Sequence, residues 1–282
     1  MTLSTSGLRL IGSTKAALLS GVRRGRPVAW TPPWMRFGNY LMLGLWAHES
    51  AHQTRRRFAL LHPGNQFLET MFPGFVREYL LRPDQVRFTD QRLMPWSGGN
   101  VETFKPDVLA DFIDTVLLPE TPLRGMDQIS PETVVINVRR GDYYSVPEHK
   151  KEYGINIHGY VRTALESMSS TEPVSHLQVV SDDVPWCQQN LDAMLSEFAP
   201  VTYQVDSSPQ QDLATLVHAR RLIIPNSTFS MWGGYLGDRL HRDRVVYAPR
   251  LFARSRNGGR GDAYLDSWHL VEDIPGGWDP RD

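Results

Sequence analysis

The stretch "VVINVRRGDYY", Val134 to Tyr144, places two arginines, a glycine and an aspartate directly after a run of apolar and β-branched residues. Guanidinium groups at the tip of a buried strand either form a polar turn or receive an anion. An arginine fork grips phosphate oxygens in bidentate fashion, which makes Arg139 or Arg140 a candidate phosphate contact. Two further clusters carry complementary chemistry. Ser181-Asp182-Asp183 offers carboxylates to the hydroxyls of a ribose or the donors of a base edge. Asn226-Ser227-Thr228-Phe229-Ser230 opens a helix whose free N–H groups and positive end favour an anion. No GxGxxG follows a strand and no GxxxxGK[ST] occurs, so dinucleotide oxidoreductases and P-loop enzymes lose ground. A nucleotide diphosphate held by arginine and a helix start remains.

Each piece also has a plainer reading. An Arg-Arg pair in a loop is usually solvated, Ser-Asp-Asp after a strand is usually a turn or a helix cap, and "NSTFS" can be an N-cap alone. Asp182 and Asp183 suggest a magnesium clamp, but no third carboxylate lies nearby in sequence and arginines already neutralise the inferred anion; the expectation is no metal and no bound cofactor. Trp232 reads equally well as core. "RGD" recurs by chance in many chains and has little weight here. What favours a site is convergence, since three strand ends of one sheet are decorated in this way.

The elements that must position these groups follow from the apolar pattern. Val134 to Val138 is a β-branched run broken only by Asn137, as expected of a strand covered on both faces. "HLQVVSDD", "VTYQV", "RLIIP" and "VVYAP" supply four more strands, with helices predicted over "GYVRTALESM", "PWCQQNLDAMLSEF", "SSPQQDLATLVHA" and "FSMWGGYLGDRL" between them. Ser208 caps the third of these helices and Pro209 takes its first position. Alternating strands and helices describe an open, doubly wound parallel sheet, in which ligands bind beyond the carboxyl ends of the strands. Upstream, Leu41, Met42, Leu45 and Trp46 are spaced for one face of a helix that begins near Asn39. Residues 55 to 128 mix short apolar runs with Pro and Gly breaks and read as α/β. The Pro-rich "LPETPLRGMDQISPE" is the expected linker, dividing the chain into residues 1–128 and 129–282.

The totals narrow the class. Of 282 residues 41% are hydrophobic and 22% charged, the make-up of a globular chain of about two domains. A formal charge of -1 provides no field for gathering nucleic acid or acidic membranes, so any anion is met locally. The single cysteine, Cys187, excludes an internal disulfide framework, suits a reducing compartment, and reads as a buried small hydrophobe. No run is long enough to span a bilayer, and in the first 26 residues the basic cluster follows the apolar part, the wrong order for a signal peptide. The expectation is a cytoplasmic protein.

At these residues the chain resembles the α-1,2-fucosyltransferases, inverting enzymes of glycosyltransferase family 11, and more distantly the α-1,6- and protein O-fucosyltransferases. The resemblance is borne by "INVRRGDYY", "VVSDDVPWCQQNL", "DLATLVHARRLIIPNSTFSMWGGYL", "VVYAPRLF" and "YLDSW", in that order, with "RFGNYLML" as a weaker counterpart of the family's G-x-G-N-Q segment. It implies a two-lobed α/β architecture of the GT-B type, two Rossmann-like lobes with a nucleotide-sugar cleft between them. GDP-β-L-fucose would be bound mainly by the second lobe, and a glycan acceptor would be fucosylated with inversion, at the 2-hydroxyl of a galactoside. A lipid-linked or surface glycan as acceptor would bring the protein to a membrane periphery.

Carried onto this sequence, the resemblance assigns the β-phosphate to Arg139 with Arg140 in support, and the guanosine side to Ser181, Asp182 and Asp183. The diphosphate goes to the Asn226, Ser227, Thr228, Phe229 and Ser230 turn, and Asn39 faces diphosphate and sugar. Two positions depart from the family: Asn137 stands where His is usual, leaving that donor contact to an amide, and Tyr40 stands where Gln is usual. For the base that takes the acceptor proton, Asp142 is the first candidate and Glu148 the reserve. Asp142 holding an arginine by an ion pair is an equal alternative.

Overall fold

The computed structural model describes residues 21–51, 55–95, 104–126 and 128–281; the leader reading falls largely on residues outside these. The chain divides into two compact units, Met1–Glu120 and Thr121–Asp282. Both are α/β and both carry a parallel sheet, which matches the two Rossmann-like halves expected. No helix among the described residues is long and apolar enough to cross a membrane.

Among its described residues the first unit holds four short strands, β1 (Pro27–Ala29), β2 (Phe58–Leu60), β3 (Leu80–Leu81) and β4 (Gln91–Leu93), in the order β3-β2-β1-β4. Its helices are α1 (Phe37–His48), α2 (Gln66–Met71), α3 (Pro73–Tyr79) and α4 (Pro106–Phe112). Helix α1 was expected to bury one face; instead it is buried nearly all round, and Trp46 is left half-exposed beneath the Arg57 guanidinium, 4.8 Å from its ring. The cause is close packing. A Cβ on Gly44 would come within 2.3 Å of the Phe75 ring and 2.8 Å of Phe112, so only glycine lets α1 seat against those side chains.

The second unit is built on six strands among the described residues: β5 (Thr133–Val138), β6 (His176–Ser181), β7 (Val201–Tyr203), β8 (Arg221–Ile223), β9 (Val245–Pro249) and β10 (His269–Val271). They are parallel throughout, in the order β10-β9-β8-β5-β6-β7. Five of these were expected. β10 was not, because no helix precedes it to signal a βαβ unit. Every residue of β5 is buried, as its apolar run required.

The chain steps from β5 to β6 and β7 on one side, then returns to β8 and β9 on the other. Right-handed crossovers therefore place α7 (Ile157–Ser169) and α8 (Val184–Leu195) on one face and α9 (Pro209–His218) and α10 (Thr228–Leu240) on the opposite one. One core joins Val134, Ile136 and Val138 of β5 to Val161 and Leu165 of α7 and to Cys187 and Leu191 of α8. Burial pushes the Cys187 thiol up to about 11, the behaviour of the inert small hydrophobe expected there. Helix α9 starts with a capping box, Ser208 against Gln211, with Pro209 in its first turn. Two short helices, α5 (Gly141–Ser145) and α6 (Pro147–Tyr153), fill the stretch after β5 that periodicity left undescribed.

The boundary differs from the one expected after residue 128. The proposed linker is packed: Thr121 accepts from Leu123 N, and Pro122–Gly125 forms a 3-10 turn with Leu123 fully buried. The Leu123 carbonyl takes a hydrogen bond from His218 Nε2 at 2.8 Å. A carbonyl only accepts, so His218 carries a proton on Nε2, and in the neutral ring its Nδ1 accepts from His241 Nε2 at 2.9 Å. Burial, then the neighbouring His218 and Arg244, hold the His241 pKa below its usual 6.5. The folded chain thus binds this proton less readily than the unfolded chain does. The stability contributed is complete above 6.5 and is lost as pH falls through the lower folded value. Thermal unfolding followed from pH 7.5 to about 5 is expected to show a midpoint that drops on acidification, with a shallower drop in His241→Asn.

Candidate functional site

Strands β8, β5 and β6 are neighbours, so the three decorated strand ends lie side by side. Between β8 and β5 the crossovers change direction, the switch point where α/β sheets open a crevice. The pairing of Val138 with Ser181 sets β6 level with β5 and brings Asp182 beside the arginines. Arg139 Nη1 meets Asp182 Oδ2 at 2.5 Å, and Arg139 Nη2 meets Asp142 Oδ1. One guanidinium is therefore clamped between carboxylates from two different elements. Gly141 permits this: a Cβ there would sit 2.4 Å from Asp182 Oδ2.

The two arginines differ in what surrounds them. Arg140 is 12% exposed, with its guanidinium carbon 3.8 Å from the Trp186 ring centre and 4.3 Å from that of Tyr144. Its Nε points to Asp183 Oδ2 at 3.2 Å, and its backbone N–H donates to Asp182 Oδ1 at 2.8 Å. Stacking and burial fix it in place. Arg139 is 34% exposed, with its guanidinium 5.4 Å from the Tyr143 ring, and is the more open of the two.

The carboxylates likewise divide. Asp183 caps α8, accepting from Trp186 N at 3.2 Å, while Ser181 Oγ accepts from Asp183 N at 3.0 Å. These are cap and turn contacts, the plainer of the readings open at the start. Asp142, the first candidate base, is paired with Arg139 and lies 3.6 Å from His149 Nδ1, so the ion-pair alternative describes it as it stands. Glu148 is exposed in the first turn of α6.

At the β8 end, Ser227 is the N-cap residue of α10, with Thr228 and Phe229 half-buried in its first turn. Ser230 is buried and donates to Asn137 Oδ1 at 2.5 Å, while Asn137 Nδ2 donates to the Val180 carbonyl at 2.9 Å. Both were expected to contact a donor substrate. Instead their polar atoms are spent on each other and on β6, because a buried amide must be satisfied inside the protein. Asn226, 2% exposed, donates to the Tyr153 and Phe252 carbonyls, each at 2.8 Å, and so anchors the turn rather than facing outward. Asn39 lies exposed in the first turn of α1, in the other unit.

Sequence reasoning missed the aromatic wall. Tyr143 stacks on Tyr153 at 4.8 Å and donates to the Asn226 carbonyl at 3.3 Å, linking the β5 end to the β8 end. Burial raises its pKa well above the usual phenol value, so it stays a neutral donor. The doubled tyrosine in "RGDYY" was the signal available, one residue facing Arg139 and the other Arg140.

Comparison with known proteins adds the family. The model of Glycosyl transferase family 11 matches residues 120–272, more than half of the chain and nearly all of the second unit. The chain is 29% identical over 164 residues to the galactoside 2-alpha-L-fucosyltransferase Sec1 of Mus musculus, covering 55% of this chain and 44% of that protein. It is 28% identical over 140 residues to the O-antigen biosynthesis glycosyltransferase WbnK of Escherichia coli, covering 48% and 43% respectively. The chain thus spans about half the length of the curated relatives it matches. Among solved structures, POFUT1 in complex with GDP superposes on 79% of this chain and 98% of its own, with a TM-score of 0.48 and 12% identity.

The buried bond between Ser230 and Asn137 carries a stability prediction. Ser230→Ala removes the donor of a buried acceptor, and urea unfolding is expected to show a loss of about 1–3 kcal/mol.

Proposed function

The chain belongs to glycosyl transferase family 11, and from that premise we propose that it transfers L-fucose from GDP-β-L-fucose to a hydroxyl of a glycan acceptor, with inversion, at the 2-hydroxyl of a galactoside. The observation that supports this most directly is Arg139, the more exposed arginine, standing at the switch-point end of β5 beside the start of α10. When GDP departs, negative charge grows on the β-phosphate. Arg139 and the first amides of α10 are the groups that stabilise it, in the manner of a preorganised anion site. The diphosphate replaces a carboxylate at Arg139. Asp142, with its side chain 48% exposed against 29% for Asp182, is the one released. Freed from its cation, Asp142 takes the acceptor proton; Glu148 stands in reserve.

In this reading the reaction needs no metal or bound cofactor, and the work is done in the cytoplasm on a lipid-linked or surface glycan. The pairing of Asp142 with Arg139 supports a second reading, a nucleotide-sugar-binding protein without turnover. Release of GDP from GDP-fucose in the presence of galactoside acceptors separates the two.

Arg139→Ala is expected to lower transfer by about a hundredfold or more while the circular dichroism spectrum is kept. Activity at the wild-type level in that variant would remove Arg139 from the mechanism. Transfer is also expected to persist in EDTA, and a strict requirement for added magnesium would overturn the metal-free reading.

A further inference from the structure

Away from the switch-point crevice, the second unit has a cavity of about 420 Å³ between α7 and α8, on the β6 side of the sheet. Its apolar lining includes Tyr144, Ile155 and Trp186, and its cations are Arg140, Arg162 and Arg281. Among the described residues no carboxylate lines it. The contrast within the same unit is informative, because the larger cavity of about 780 Å³ beside β10 is lined by Asp262, Asp266, Glu272 and Asp273 against Arg260. The charged lining of that one is mostly acidic and that of the smaller one basic. A volume of several hundred Å³ with an apolar body and a few convergent charges is the usual form of a small-molecule site.

We propose that this cavity is a second anion site, taking an organic phosphate whose apolar body lies on Trp186 and Tyr144 and whose phosphate meets the arginines of the rim. Arg162 is now paired with Glu197 at 2.6 Å and Glu166 at 3.5 Å, both exposed contacts of the kind a phosphate displaces at little cost. Arg281 donates to the Gly276 carbonyl at 2.8 Å. Arg140 is the shared wall. Its guanidinium faces this cavity, while its backbone N–H donates to Asp182, the carboxylate that holds Arg139. This site shares Arg140 with the one assigned to the sugar donor, and its other lining residues lie apart from that assignment.

Nucleotides and the phosphate of a lipid carrier share this chemistry, and the experiment distinguishes them. Titration calorimetry of the whole chain with phenyl phosphate, GMP and octyl phosphate is expected to show saturable binding of at least one. A preference for GMP assigns a nucleotide, and a preference for octyl phosphate assigns a lipid phosphate. That binding is expected to survive Arg139→Ala and to weaken about tenfold in Arg162→Ala and in Arg281→Ala, each variant retaining its circular dichroism spectrum. Loss of binding in Arg139→Ala, unchanged affinity in both rim variants, or no binding of any of the three overturns the inference. Failure of GDP to bind the wild-type chain would instead count against the donor reading alone.

Discussion

One guanidinium between two carboxylates organises the site. Arg139 reaches Asp182 across the β5–β6 pairing and Asp142 one helical turn along its own chain. Each pair taken singly, at the surface, would contribute little, because water screens it and two side chains must be ordered. Here the strand register has already ordered them: Val138 opposite Ser181 sets the spacing, and the missing side chain at Gly141 lets the carboxylate close in. The cation is thus held ready at the end of β5 rather than searching for an anion.

Around that clamp the protein separates two arginines that are adjacent in sequence. Arg140 is closed between Tyr144 and Trp186 and tied to the cap of α8, so its charge is mostly structural toward the crevice. Arg139 keeps a third of its surface open. The same division runs through the hydroxyl-rich turn after β8, where Ser230 and Asn226 turn inward to hold the turn and Thr228 and Phe229 remain half-open. Rigid supporting contacts thus stand beside a few open groups.

Much of the second unit was legible in its residues. A largely β-branched run such as Val134 to Val138 signals a covered strand, and Ser208-Pro209 a helix start, because those signals act within a few residues. The polar clusters at the strand ends were visible for the same reason. The first unit was harder to read, since strands of two or three residues carry too little pattern, and α1 is buried on sides that a single apolar stripe does not reveal. β10 escaped because its partner strand is reached through irregular chain.

Local residue types by themselves determined most elements of the second unit, the location of cations, carboxylates and hydroxyls at their ends, and the exclusion of glycine-rich phosphate loops. The fold alone decided which partner each group takes. Arg139 and Asp182 are 43 positions apart, and Asn137 and Ser230 are 93 apart. They meet because β5 lies between β6 and β8. Periodicity cannot express that order, since it reports which face a residue buries and not which strand comes to lie beside it.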